Sequence, residues 1–192
     1  MANVLVVFES KYGQAEKIAE HVAEMARRAG HDAKAIRTSS APALTVSDSD
    51  AVVVVAPIYF GRHHELVEPF LRLHADELAK RPSAFVSVSG AAANADPSVR
   101  AGAEKIARDF VARLGYDPRL VITAGGAMAY PRYGAVLRFV TWFISRRRGG
   151  PTDTSRVYEM TDWKALEAAL VPFLERLDAP AVDASVGDTA SW

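Results

Sequence analysis

Residues 4–15 read VLVVFESKYGQA, and their reading decides the fold. Val4-Leu5-Val6-Val7-Phe8 is an unbroken apolar run rich in β-branched residues, as expected of a strand buried on both faces of a covered parallel sheet. The run breaks into the polar turn Glu9-Ser10-Lys11-Tyr12-Gly13-Gln14, and a helical pattern follows at once. A strand feeding a short loop and then a helix start aims backbone N–H groups and the positive end of the helix dipole at one point, where a phosphate is well held. The loop carries one glycine, so it matches neither the GxGxxG dinucleotide fingerprint nor the GxxxxGK[ST] phosphate loop. A plain strand-to-helix turn would use the same residues.

Outward from this stretch, strands and helices alternate. Ile18, Ala19, Val22, Ala26 and Ala29 form one helical stripe that stops at Gly30. Asp32 to Arg37 is a partly polar strand suited to a sheet edge. Residues 38–50 are rich in Ser, Pro and Ala and hold at most a weak helix. Ala51 to Ala56 is a third, wholly apolar strand that ends in Pro57-Ile58-Tyr59-Phe60-Gly61. A helix is expected over Glu65 to Leu78. A fourth strand, Ala84 to Ser89, runs into the small-residue loop Ser89-Gly90-Ala91-Ala92-Ala93. Asp96-Pro97 caps a helix ending near Leu114, and Leu120 to Ala124 is a fifth strand.

This alternation predicts an α/β, doubly wound, five-stranded parallel sheet with right-handed crossovers. Placing the polar second strand outside gives the order 2-1-3-4-5, which is flavodoxin-like and has its ligand crevice between strands one and three. Three loops meet there: one of phosphate type, one aromatic, and one with side chains too small to obstruct a flat ring. Together they suit a flavin better than a bare nucleotide.

Composition narrows the classes. The 192 residues fit one domain, expected over residues 1–177, and 178–192 have the Asp-, Ala- and Ser-rich composition of a disordered tail. Lys plus Arg and Asp plus Glu balance at 23 each, which points away from a nucleic-acid partner. The absence of cysteine excludes disulfides, thiolate catalysis and Cys-ligated metal centres. No secretory signal and no membrane-spanning run are visible, so a cytoplasmic-side protein is expected.

An insertion separates strand five from the final helix at Thr161-Asp162-Trp163. At about forty residues it is long for a connection, and it is too apolar and aromatic for disorder. Residues 130–150 contain Tyr130-Pro131-Arg132-Tyr133, a helical stretch from Ala135 to Ile144, and Arg146-Arg147-Arg148. On a helical wheel Arg138, Thr141, Ser145 and Arg148 form a narrow polar edge, and Val136, Leu137, Phe139, Val140, Trp142, Phe143 and Ile144 cover the rest. That pattern fits a helix lying in a membrane interface. A helix packed on the sheet, or covered by a second copy in a homo-oligomer, would show it too.

With these segments in view, the chain resembles the menaquinone-dependent, flavodoxin-like protoporphyrinogen oxidase family of bacteria. The resemblance covers residues 3–177. It is carried by FESKYGQA, PIYFGRHH, PSAFVSV and above all AYPRYGAVLRF with GGPTDTSRVYEMTDW, a string that ordinary flavodoxins lack. The resemblance implies bound FMN, oxidation of protoporphyrinogen IX to protoporphyrin IX in haem synthesis, and electrons passed to a membrane quinone. It implies a protein peripheral on the inner face of the cell membrane, held there by the insertion. The chain departs from the expected pattern at Ala15, where a threonine is expected to close the phosphate loop. Sharing this fold are two other activities: an NAD(P)H:quinone reductase and a flavodoxin-type electron carrier.

Site residues follow from these readings. Ser10, Lys11, Tyr12, Gly13, Gln14 and Ala15 are expected at the FMN phosphate, mostly through backbone N–H groups. Pro57, Ile58, Tyr59, Phe60 and Gly61, with Ser89, Gly90 and Ala91, are expected around the isoalloxazine. Tyr130 and Tyr133 are expected at the rim of the porphyrin site. Arg132, Arg146, Arg147 and Arg148 are matched either to porphyrin propionates or to anionic lipid. His63-His64 could serve as an acid/base pair or simply pack. Without a second ligand cluster no metal site is expected, and no dedicated catalytic acid or base stands out.

Overall fold

The computed structural model describes residues 1–40, 46–147 and 150–178. The apolar runs become β1 (Asn3–Phe8), β3 (Ala51–Tyr59) and β5 (Ser83–Ser89). With β2 (Asp32–Arg37) and β6 (Leu120–Gly125) they form a parallel sheet of order β2-β1-β3-β5-β6. Leaving aside β4 (Arg62–His63), a short antiparallel ribbon folded back from β3, this is the expected 2-1-3-4-5 order.

Strand alternation divides the core in two. Val4, Val6, Val53, Val55, Val86 and Val88 point to one face, against Ile18 and Val22 of α1 (Gln14–Arg28) and Leu166, Leu170 and Phe173 of α6 (Trp163–Glu175). Leu5, Val7, Val52, Val54 and Phe85 point to the other face. There they meet α2 (Val67–Leu73), α3 (Ala75–Ala79) and α4 (Pro97–Arg113) through Phe70, Leu71, Leu78, Phe110 and Val111. Each such fully buried side chain contributes about 1.5–3 kcal/mol of transfer free energy.

One expectation is corrected. The helix expected over Glu65 to Leu78 is split into α2 and α3 at His74, whose φ of −108° leaves the helical range. The His74 ring meets Phe70 at a tilt (centroids 4.8 Å apart), so the residue at the break packs on α2. Residues 38–50 contain two 3-10 turns, Thr38–Ser40 and Val46–Asp48, on either side of residues outside the described set. The expected tail lies outside the described residues, except for Asp178 at the end of a 3-10 turn.

The insertion is rooted more firmly than the sequence indicates. β7 (Ala127–Ala129) leads out and β8 (Val157–Glu159) returns as its antiparallel partner, with α5 (Ala135–Arg147) between them. The excursion therefore spans 127–159 and not 130–150 alone. At its base, Gly125 lies so close to the Met160 carbonyl that a β-carbon there would collide with it. No helix among the described residues is long and apolar enough to cross a membrane.

Candidate active site

The carboxyl ends of β1, β3, β5 and β6 converge on a cavity of about 210 Å³ at the switch between β1 and β3. Tyr12, Gln14, Ala15, Pro57, Ile58, Tyr59, Phe60, Ser89 and Gly90, all expected at a cofactor, line it. Tyr133 of the insertion lines it as well.

The β1–α1 loop is tightly tied. Gly13 takes φ +94° at the N-cap of α1, and its N–H donates to the Ser10 hydroxyl at 3.0 Å. The Lys11 N–H donates to the Tyr59 phenolic oxygen at 3.1 Å. Tyr12 meets Tyr59 edge-on at 5.4 Å and Tyr133 at 4.8 Å. The first intrahelical bond runs from Lys17 N–H to the Gly13 carbonyl, so the N–H groups of Gln14, Ala15 and Glu16 are the orphan donors of the first turn. Behind the loop, the buried Glu9 carboxylate accepts from the Thr38 hydroxyl and from the Ser39 N–H at 2.6 Å. Arg37 lies over Phe8, donates to the Ser10 carbonyl at 2.6 Å and pairs with Glu16 at 2.8 Å.

Polar contacts also run from the insertion and the residues just after it to this loop and α1. Arg132 Nη1 donates to the Tyr12 carbonyl at 2.5 Å. Gln14 Nε2 donates to the Thr161 hydroxyl at 2.7 Å, which in turn donates to the Gly125 carbonyl at 2.6 Å. Lys17 pairs with Glu159 at 3.0 Å. Burial holds the Tyr59 and Tyr133 phenols above the usual tyrosine pKa, so both stay protonated across the physiological range.

Several expected residues stand elsewhere. Ser10, Lys11, Gly13 and Ala91 lie behind or beside the cavity wall and not on it. Phe60 and Gly61 form the two-residue turn of the β3–β4 hairpin with φ of 52° and 78°, the left-handed pair of a type I′ turn. Phenylalanine is costly there, and its ring is 87% exposed beside the cavity mouth. Gly61 borders a second cleft of about 830 Å³ beyond the hairpin, together with His63, His64, Glu68, Arg72 and Arg113. His63 is wedged between Phe85 and Phe110 and shares a 3.0 Å hydrogen bond with Ser87; burial, with Arg113 nearby, lowers its pKa to about 4. It is a neutral packed imidazole outside the first cavity. Tyr130 is not a rim residue: it is fully buried, and its hydroxyl donates to the Pro151 carbonyl at 2.9 Å. Arg148 lies outside the described residues.

Sequence reasoning missed Val88, Gly126, Ala127, Met128, Leu137, Thr141 and Met160 on the cavity wall. Gly126 and Ala127 are as small as the loop after strand four and carried the same signal. Leu137 and Thr141 come from α5, which is turned inside out. Of its polar edge, Thr141 and Ser145 face inward, with Ser145 buried and donating to the Pro151 carbonyl at 2.6 Å, while Arg138 is exposed. Its apolar residues face out: Val136 is 79% exposed, Phe139 63%, Ile144 46%, Val140 43% and Phe143 42%. Arg146 and Arg147 lie over the Trp142 and Phe143 rings at the end of this face.

The residues present fit a flavin. A flat ring needs walls without bulk, which Ser89, Gly90, Gly126 and Ala127 provide, and aromatic surface, which Tyr12, Tyr59 and Tyr133 provide. A phosphate needs donors, which the first turn of α1 provides. No acidic side chain among the described residues lines the cavity.

Comparison with known proteins agrees with this geometry. A family described as a flavodoxin domain matches residues 5–155. The chain is 30% identical over 160 residues to Protoporphyrinogen IX dehydrogenase (quinone) of Escherichia coli (strain K12), covering 83% of this chain and 88% of that protein. It is 32% identical over 121 residues to the protein of the same name from Leishmania major, covering 63% of this chain and 52% of that one. In structure it is similar to oxidised Flavodoxin 1 from Bacillus cereus, with TM-score 0.54 and 15% identity over 93% of this chain and 99% of that one. That last likeness shows the fold.

Proposed function

The chain belongs to the flavodoxin-like protoporphyrinogen oxidase family, and on that premise we propose that it is an FMN-dependent oxidoreductase. In this reading it oxidises protoporphyrinogen IX to protoporphyrin IX and passes the electrons to a quinone. The flavodoxin domain indicates a flavin; FMN is the form that suits a helix N-terminus with free N–H donors at the cavity edge. The observation that carries the reading is the inverted helix α5, which turns Leu137 and Thr141 into the cavity and its apolar face outward.

When bound, the flavin supplies two-electron chemistry, so removing six electrons and six hydrogens from the porphyrinogen takes three cycles and reduces three quinones to quinols. The chain's own part is binding and orientation. The first turn of α1 holds the phosphate, and Tyr12, Tyr59 and Tyr133 wall the ring site. Tyr133 is itself fixed by the Ala129 N–H, which donates to its phenolic oxygen at 3.2 Å. Leu137, Met128 and Met160 exclude water from the wall facing the insertion.

The outer face of α5 seats on the inner surface of an anionic membrane. Charge and shape support this: five exposed apolar side chains are flanked by Arg138, Arg146 and Arg147, with no acidic residue in the helix. A quinone dissolved in that membrane would then approach the cavity along α5. A second copy of the chain is the competing cover, and a dimer that forms without lipid and masks α5 would overturn the membrane reading.

Anaerobic mixing of FMN-loaded protein with protoporphyrinogen IX, followed at the flavin absorbance, tests the reaction. Bleaching by porphyrinogen and recovery on adding a menaquinone analogue are expected. Bleaching by NADPH alone would make the protein a quinone reductase instead.

A further inference from the structure

Arg132 is not on the cavity wall but reaches from the insertion to the β1–α1 loop. Its guanidinium lies directly on Gly13, so that a β-carbon built there would collide with Nη1 and come within 3.3 Å of Cζ and 3.7 Å of Nη2. Nη1 donates to the Tyr12 carbonyl at 2.5 Å, which leaves the other N–H groups of the fork directed to no carboxylate among the described residues. The guanidinium thus hangs over the first turn of α1, beside the orphan N–H groups of Gln14, Ala15 and Glu16.

We propose that Arg132 is the charged ligand of the flavin phosphate, and that through it the folded insertion sets the preference for FMN over riboflavin. This rests on the FMN reading above. Charge and donor supply both argue for it. A flavin phosphate is an anion with close to two negative charges at neutral pH. The loop itself offers one cation, Lys11, whose ammonium lies over the Tyr12 ring at 5.7 Å. The Ser10 hydroxyl, which accepts from the Gly13 N–H, has a single neutral O–H to donate, and Ala15 brings no hydroxyl to the helix start. A guanidinium fork matches phosphate geometry and supplies what the loop lacks. Gly13 then has two reasons to be glycine: its φ of +94° and the space taken by Arg132.

The arrangement has a regulatory consequence. β7, α5 and β8 deliver Arg132, so disturbing the insertion should loosen the cofactor at a point remote from the ring. FMN occupancy and insertion order are one coupled equilibrium.

The test titrates full-length apoprotein with FMN and with riboflavin, following flavin fluorescence quenching, in wild type and in Arg132→Gln. Glutamine can still donate to the Tyr12 carbonyl but carries no charge. Weakening of FMN by about 10- to 100-fold, the range of charge-assisted hydrogen bonds, with riboflavin changed less than two-fold, is expected. Riboflavin affinity is also the folding control, and Arg132→Lys should recover part of the loss. Equal weakening of both flavins would make Arg132 a strut for the loop and overturn the proposal, as would unchanged FMN affinity. Wild-type protein that binds riboflavin as well as FMN would overturn it while leaving a flavin site. Wild-type protein that binds neither flavin would bring down the FMN reading and this inference with it.

Discussion

Helices α1 and α5 flank the same cavity and are built in opposite senses. α1 buries Ile18, Ala19, Val22, Ala23 and Ala26 against the sheet and shows solvent its charges, with Glu24 paired to Arg27 and Arg28. α5 buries Ser145 and turns Thr141 inward, while Val136, Phe139, Val140, Phe143 and Ile144 stand exposed. An ordinary surface helix follows the first pattern because burial of its apolar stripe is what stabilises it. The reversal in α5 says that its partner is not the sheet. α1 is specified from inside the domain, whereas α5 turns its apolar residues out of it, toward the membrane that we propose covers them.

Unfolding in urea should break the two helices apart most sharply. Ile18→Ala removes a fully buried side chain and is expected to cost about 2–5 kcal/mol through lost transfer energy and the cavity left behind. Phe139→Ser, at a residue 63% exposed, should change stability by no more than about 0.5 kcal/mol. Comparable losses at the two positions would mean that α5 is a core helix after all.

Lipid sharpens the same contrast. Sedimentation with anionic vesicles should lose the protein at least about ten-fold on Phe139→Ser with Phe143→Ser, given the transfer energy of each phenyl ring. Ile18→Ala, while still folded, should leave vesicle binding unchanged. Binding that survives the double substitution would send the search for the contact surface elsewhere.

How far the sequence could be read follows the same division. For the strands of the domain's own sheet, pattern and structure agree: the apolar runs became β1, β3, β5 and β6, the polar Asp32–Arg37 fell at the edge, and the order followed. The cavity loops were legible because their chemistry is local, a turn into a helix start or a run of small side chains. What could not be read depends on distance in space. Tyr130 and Tyr133 look alike in the sequence, yet one is sealed beneath Pro151 and the other lines the cavity. The sequence matches Arg132 to porphyrin propionates or to anionic lipid, and nothing in its spacing shows that it reaches back onto Gly13, 119 positions earlier. The β7–β8 ribbon itself is three residues a side, too short for its alternation to register.

Acid separates the two sides of the sheet further. His63 lies on the α4 side, between Phe85 and Phe110, and its pKa is lowered to about 4 from an ordinary value near 6.5. Between those values the unfolded chain binds the proton and the folded protein does not, so stability falls as pH falls through this window. At about 1.4 kcal/mol per unit the loss reaches up to about 3 kcal/mol by pH 4. His63→Leu, compared with wild type across pH 7 to 4 by urea unfolding, should flatten the slope by that amount. Parallel slopes would show that the imidazole is not desolvated in solution.

The smallest effect belongs to the inner edge of α5. Ser145 and Tyr130 both donate to the Pro151 carbonyl, at 2.6 and 2.9 Å, so the helix is pinned to the returning chain through one oxygen with two donors. Ser145→Ala removes one donor and leaves the carbonyl satisfied by the other, and a cost of about 0.5–1.5 kcal/mol is expected. Tyr130→Phe should cost a similar amount, and the double variant more than the sum, because only then does the carbonyl of the half-buried Pro151 lose both donors. Simple additivity in that cycle would mean that the inward polar edge does not hold α5 in place. The orientation of the helix would then depend on its apolar surroundings alone, and detergent should restore in the double variant what the lost hydrogen bonds removed.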